Sequence, residues 1–181
     1  MTGLDKKYGA ILCDPPWSFK TFSDKGKGRS AERHYDCMSF HDLCRIKIPA
    51  ADDCMLFLWV TDPMLQKAFH LLGEWGFTYK TVGFTWTKRN KNGTPFVGMG
   101  YYTRSNPEQC LLATRGSPRR NDKGVRQWID DKRREHSRKP DEIYNRIERL
   151  VDGPYLEMFA RQRRPGWDAW GNETEKFEAS K

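Results

Sequence analysis

The sequence has no apolar stretch long enough to cross a bilayer. Its longest uninterrupted apolar run is Cys54 to Val60, whereas a membrane helix needs about 20 residues. No positively charged leader with an apolar segment opens the chain, so no secretion signal is expected. There is no Cys-x-x-Cys pair, and the five cysteines (Cys13, Cys37, Cys44, Cys54, Cys110) are odd in number. A disulfide scaffold is therefore not expected, and a reducing cytoplasm fits best. Internal repeats and low-complexity tracts are missing too, and a coiled coil and a collagen-like fibre are excluded. Acid is in short supply: 24 Asp and Glu face 32 Lys and Arg, a formal net charge of +8. Such a balance favours polyanionic partners through long-range attraction and counterion release.

What is present suits one domain of ordinary size, spanning residues 1–181. Seven Trp, seven Tyr and ten Phe supply bulk for a core although 31% of residues are charged. Tyr8 to Cys13 reads as a buried strand that stops at Asp14-Pro15-Pro16. Cys54 to Val60 reads as another, because its apolar residues are continuous rather than alternating. A helix should follow, with Asp62 as N-cap, Pro63 in the first turn, an inner face of Leu65, Ala68, Phe69 and Leu72, and Gly76 as its stop. Thr81 to Thr87 and Gln109 to Thr114 suggest two more strands. A second helix should begin near Pro140, with Ile143, Ile147 and Leu150 inward, ending at Gly153-Pro154 before a strand from Tyr155 to Ala160. Strands alternating with helices predict an α/β domain with a largely parallel sheet. Its ligands should gather at the carboxyl ends of strands, where Asp14 and Arg161 fall.

Three connections are long: Ser18 to Cys37, Lys88 to Glu108 and Gly116 to Arg138. Loops of that length are usually functional or disordered. Between Arg115 and Lys139 there are ten Lys or Arg and four Asp or Glu. That segment is expected to be an open loop following a phosphate backbone, with Arg119, Arg120, Arg133 and Arg134 on the nucleic acid.

Asp14-Pro15-Pro16-Trp17 carries the clearest chemistry. A carboxylate at a strand end can accept a hydrogen bond from an amine, and the carbonyl before a proline points in a constrained direction. Two acceptors fixed in this way could hold both hydrogens of an exocyclic amine, while an aromatic face stacks on the flat base. Asp14, Pro15, Pro16 and Trp17 are thus a candidate catalytic group, with Trp17 as its stacking ring; on the residues alone, a proline-terminated strand with a stray Asp is the alternative. A rival pattern, His34-x-x-Cys37 with His41-x-x-Cys44, has zinc-ligand residue types. Only three residues separate its pairs, too little chain to close a tetrahedron, so no metal is expected.

Asp14-Pro15-Pro16-Trp17 resembles the catalytic motif of the messenger-RNA adenosine N(6)-methyltransferase family, which also has bacterial and phage DNA-adenine members. Tyr35-Asp-Cys-Met38-Ser, Ile48-Pro49, Leu56 to Thr61, Glu108-Gln-Cys-Leu111 and Lys139 to Tyr144 resemble further family blocks in the family's order. So do Glu157 to Arg161 and Trp170-Gly171-Asn172. These blocks extend from Tyr8 to Asn172, giving a core of about 8–172 and a tail of 173–181. The resemblance implies a Rossmann-like, S-adenosylmethionine-dependent fold in permuted order, the catalytic strand preceding the cofactor strand. It places Phe159, Ala160, Arg161 and Asn172 around the donor's adenosine and Lys139 near its carboxylate. Asp14 would be shared between donor and substrate, and Tyr35 would face the substrate. Two departures stand out: Ala160-Arg161 replaces the glycine that often follows such a strand, and few residues precede Tyr8. The expected activity is methyl transfer to N(6) of adenine in DNA, within a bacterial or phage-infected cytoplasm. RNA is the alternative substrate, and a non-catalytic nucleic-acid-binding partner subunit the alternative class; assembly as a homodimer stays open. Cytosine, the third alternative, more often goes with Ser in place of Asp14.

Overall fold

The computed structural model describes residues 6–17, 38–135 and 137–177. Seven strands form one sheet in the order β5-β3-β4-β2-β1-β6-β7. They are β1 (Tyr8–Cys13), β2 (Ala50–Val60), β3 (Thr78–Arg89), β4 (Glu108–Arg115), β5 (Trp128–Lys132), β6 (Tyr155–Met158) and β7 (Trp167–Trp170). Four of the six pairings are parallel. β4 runs antiparallel to both of its neighbours, β2 and β3. The chain is α/β with a mostly parallel sheet, as the alternation of apolar runs predicts.

β1 and β2 are apolar on both faces because both faces are covered. On one side Ile11, Cys13, Leu56 and Leu58 meet α1 (Phe40–Cys44) and α2 (Leu65–Glu74) through Leu43, Ala68, Leu71 and Leu72. On the other, Ala10, Leu12, Phe57 and Trp59 meet α3 (Glu142–Leu150) through Ile143, Tyr144 and Ile147. Each large side chain fully withdrawn from water contributes roughly 1.5–3 kcal/mol. The sheet is thereby a rigid floor for whatever its strand ends carry.

Several local expectations need correcting. Thr61, not Asp62, is the N-cap; Asp62–Met64 forms a 3-10 turn and α2 starts only at Leu65. Leu71 joins the buried face, while Phe69 is exposed and packs edge-on against Tyr79. Gly76 does end α2: at φ +74° it bonds back to Gly73, and Phe77 to Leu72, a left-handed cap that glycine adopts without strain. The basic segment is not one open loop, because it contains β5. That strand escapes the pattern because it is a sheet edge whose single buried side chain, Ile129, sits among charges.

The strand order reverses between β1 and β6. β1 leads to β2 on one side, and the chain returns to lay β6 on the other. Such a switch point opens a crevice at the carboxyl ends of the two strands. Asp14 follows β1 there, and Phe159 to Arg161 follow β6.

Candidate active site

β1 stops where it does because Pro15 and Pro16 have no N–H to continue the ladder. The last link is the Asp14 N–H, which donates to the Met158 carbonyl of β6 at 3.4 Å. The turn that follows is clamped. The Trp17 N–H donates to the Pro15 carbonyl at 2.8 Å, and the Met38 N–H donates to the Pro16 carbonyl at 3.1 Å. Trp17 Nε1 donates to the Trp59 carbonyl at the end of β2, 3.1 Å away.

Asp14 is the centre of a chain of alternating charges along the carboxyl edge. Its Oδ2 receives Lys139 Nζ and Arg161 Nη1, each at 2.9 Å. Lys139 also reaches Glu108 Oε2 at 3.3 Å, and Lys88 reaches Glu108 Oε1 at 2.5 Å. On the far side Arg161 Nε lies 3.5 Å from Glu173, and its Nη1 donates to both the carbonyl and hydroxyl oxygens of Ser137. The side chains of Asp14, Lys139 and Arg161 are only 9–15% exposed. At that depth a lone charge is strongly disfavoured, and alternation is what makes the arrangement tolerable. Among the described residues Asp14 Oδ1 makes no hydrogen bond, so one face of the carboxylate is left to accept one.

The electrostatics follow. Burial alone would raise the Glu108 carboxyl, but Lys139 and Lys88 outweigh it and bring the pKa down to about 2. Burial also works against the Lys139 ammonium, yet Asp14 and Glu108 together push its pKa well up. Glu157, one residue before the end of β6, behaves oppositely. Burial dominates, Asp14 adds to it, and the hydrogen bond from Tyr144 only partly offsets them, so its pKa rises to about 7.

The sequence-predicted residues divide unevenly. Asp14, Lys139 and Arg161 converge as above. Phe159 sits at φ +59° and Ala160 is fully buried, its N–H donating to the Trp170 carbonyl at 3.0 Å. The Phe159 ring packs edge-on against Trp170 at 5.2 Å. A Cβ on Gly171 would lie 3.0 Å from the Ala160 nitrogen, so the 159–161 turn and the segment ending in exposed Asn172 approach as closely as glycine allows. Trp17 is corrected: it is 4% exposed and packed in the core, with no open face for a base. Its indole holds the turn against β2 instead.

Arg119 and Arg120 are corrected as well. Ser117 N–H donates to Asp53 and Asn121 N–H to the Leu150 carbonyl, which ties this segment to the start of β2 and the end of α3. It lies at the opposite edge of the sheet from Asp14, since Cys13 is level with Leu58 and Cys54 with Arg115. At ~3.3 Å per residue the separation is about 15–20 Å. Arg134 is spent on Asp141 at 2.6 Å and on the Lys139 carbonyl. Arg133 alone of the four is exposed on the Asp14 edge, its guanidinium 4.2 Å from the centre of the Phe96 ring. Tyr35 lies outside the described residues, as do His34 and Cys37.

Sequence reasoning gave no role to Glu108, Lys88, Ser137, Glu173 or Trp59. Trp59 carries Lys139 over its ring at 5.5 Å. Its Nε1, like Thr61 Oγ1 and Arg138 Nε, is buried with no hydrogen-bond partner among the described residues. Strand-end position was the available signal for Lys88, Glu108 and Trp59, since these sit where β3, β4 and β2 meet the Asp14 edge.

A mostly parallel seven-stranded sheet with charged side chains gathered at its switch point is a Rossmann-like arrangement. The chain belongs to the MT-A70 family, whose family profile matches residues 8–173; these are S-adenosylmethionine-dependent methyltransferases. It is 35% identical to the Type II methyltransferase M.MunI of a Mycoplasma species, over 93% of this chain and 78% of that protein. A MT-A70-like N(6)-adenosine-methyltransferase of Medicago truncatula is 32% identical over 92% of this chain. The human N(6)-adenosine-methyltransferase catalytic subunit METTL3 is 30% identical over the same share. The chain spans only 26% and 28% of those two eukaryotic relatives. Among the described residues no helix is long and apolar enough to cross a membrane.

Proposed function

We propose that this chain, as a single catalytic domain over residues 8–172, transfers the methyl group of S-adenosylmethionine to the N(6) amine of adenine in DNA. One observation carries the reading: at the switch point Asp14 Oδ2 is fixed between Lys139 and Arg161 while, among the described residues, Oδ1 makes no hydrogen bond. The residues present fit the donor. Phe159, Ala160, Arg161 and Asn172 would hold its adenosine, and the third N–H of Lys139 would face its carboxylate. The orphaned Arg138 Nε is a buried donor in the same segment. When bound, the donor supplies a methyl group on a positively charged sulfur.

Asp14 Oδ1 accepts one N–H of the adenine amine, and the second lone pair of the Pro15 carbonyl accepts the other. Together they turn the nitrogen lone pair outward, and holding it in a near-attack arrangement is most of the catalysis. Lys139 and Arg161 stop the carboxylate from rotating away. The nitrogen attacks the methyl carbon directly as the carbon–sulfur bond breaks, so no covalent enzyme intermediate is needed, and the extra proton on the methylated amine then passes to water. The target base has to be single-stranded or flipped, since its amine is inaccessible within a paired stack.

DNA is favoured by the coverage of the bacterial Type II relative, which is nearly matched in length. RNA is the second reading, supported by the relatives named N(6)-adenosine-methyltransferases. Nucleic acid in the cytoplasm is the setting this implies. Incubation with labelled donor and parallel DNA and RNA, followed by nucleoside mass spectrometry, tests the reading. N(6)-methyladenine from DNA is expected; product from RNA alone transfers the activity to RNA, and product from neither overturns it.

A further inference from the structure

From Trp75 to Pro107 the sequence has thirty-three residues without a single Asp or Glu, against five Lys or Arg: Lys80, Lys88, Arg89, Lys91 and Arg104. The second half of this stretch is the loop 90–107, which leaves the carboxyl end of β3 and returns at Glu108. Both of its ends are therefore on the Asp14 edge. Lys88 and Glu108, which flank it, belong to the charge chain that ends on Asp14.

The loop is built to hold its shape. The Asn106 side chain accepts from the Lys88 N–H at 2.9 Å and donates to the Lys88 carbonyl at 3.0 Å and to the Phe96 carbonyl. The Gly98 N–H donates to the Ser105 carbonyl at 2.7 Å, and the Ser105 hydroxyl to Asp62 at 3.2 Å. A Cβ on Gly98 would lie 2.8 Å from the Ser105 carbonyl oxygen, so the closure requires glycine. On this anchored base, apolar side chains stand out in water: Val97 is 67% exposed, Met99 55% and Tyr102 100%. At the foot of the loop a recess of about 480 Å³ is lined by Asn90, Lys91, Asn92, Arg133 and Arg134, and Arg133 also packs on Phe96.

Apolar tips on an anchored base, in a loop whose own residues include cations and no carboxylate, match a duplex whose stack is opened. Proteins that unstack a base step insert apolar wedges between bases and hold the flanking phosphates with Lys and Arg. The loop's own cations, Lys91 and Arg104, with exposed Arg133 beside Phe96, favour a polyanion over another protein surface. We propose that the loop 96–105 is a wedge that enters double-stranded DNA beside the target adenine. Val97, Met99 and Tyr102 replace lost stacking, and Lys91, Arg104 and Arg133 hold the phosphates. The wedge rests on the DNA-methylation reading above and adds to it how a paired base reaches Asp14.

The test compares initial rates of tritium transfer from S-adenosylmethionine to unmethylated linear plasmid DNA and to the same DNA denatured by heat and chilled. The full chain is used, with circular dichroism to verify folding and sedimentation to give its mass. Combining Val97→Ser, Met99→Ser and Tyr102→Ser should slow duplex labelling at least about tenfold, as loss of help with unstacking implies. Labelling of the denatured DNA should stay within about twofold of wild type. Tyr102→Ala alone repeats the comparison should the triple variant not fold, with a smaller loss again confined to duplex. Undiminished duplex labelling overturns the wedge, as does equal loss on both DNA forms. A change of sedimenting mass in the variant also overturns it and makes the loop a protein interface. No label from wild type on either form overturns the methylation reading, and the wedge with it.

Discussion

Glu108→Gln isolates the charge network from everything else at the site. The replacement keeps the size and one hydrogen-bond acceptor, and removes only the negative charge between Lys88 and Lys139. With its pKa at about 2 in the folded chain and about 4.3 in an unfolded one, Glu108 binds fewer protons folded than unfolded. Its contribution is fully present above the unfolded pKa and is lost as pH falls through the folded one. At ~1.4 kcal/mol per unit the shift corresponds to about 3 kcal/mol at neutral pH. The amide retains part of the hydrogen bonding, so a loss of about 2 kcal/mol is the working figure. For a chain of this size that lowers Tm by roughly 4–8 °C. Urea denaturation of wild type and variant should show this gap at pH 7 and about half of it at pH 3. Equal stability at pH 7, or a gap of the same size at both values, would refute the argument that ionised Glu108 holds the edge together.

Glu157 should behave in the reverse sense: its folded pKa is raised to about 7, so wild type loses stability as pH rises from about 4.5 through 7. Glu157→Gln should remove that slope and stabilise the chain by about 2–3 kcal/mol at pH 8 but hardly at pH 4, read as Tm against pH. On DNA, Arg133→Gln should lower the slope of log affinity against log salt by about one unit. Arg119→Gln with Arg120→Gln should leave that slope unchanged, because those residues flank the opposite edge of the sheet.

β1 and its neighbour β2 were readable from sequence because both are buried on two faces, which writes an unbroken apolar run such as Cys54 to Val60. The turn at Asp14 was readable because two prolines forbid any continuation. β5 was not, since an edge strand needs only Ile129 to be apolar. Charge density in the Arg115–Lys139 segment says nothing of strand direction, and direction alone separates Arg119 from Arg133. The network around Asp14 was hidden for another reason: Lys88, Glu108, Lys139, Arg161 and Glu173 come from distant parts of the chain, and only the sheet order brings them together. Trp17 looked like a stacking ring because the sequence shows an aromatic residue beside a catalytic motif but not which side of the sheet receives it.

The central claim is that Asp14 orients an adenine amine for methyl transfer. Its most direct test is nucleoside mass spectrometry of DNA incubated with S-adenosylmethionine and wild type, Asp14→Asn or Asp14→Ala. Circular dichroism verifies the fold, and calorimetry verifies donor binding. The orienting role is exerted mainly in the transition state, so the loss should fall on the catalytic rate rather than on KM. N(6)-methyladenine should form with wild type, at a reduced rate with Asn, which retains an acceptor oxygen, and not measurably with Ala. Near-normal turnover by a correctly folded Asp14→Ala chain would contradict the account and leave Asp14 as the ionic hub of a strand end.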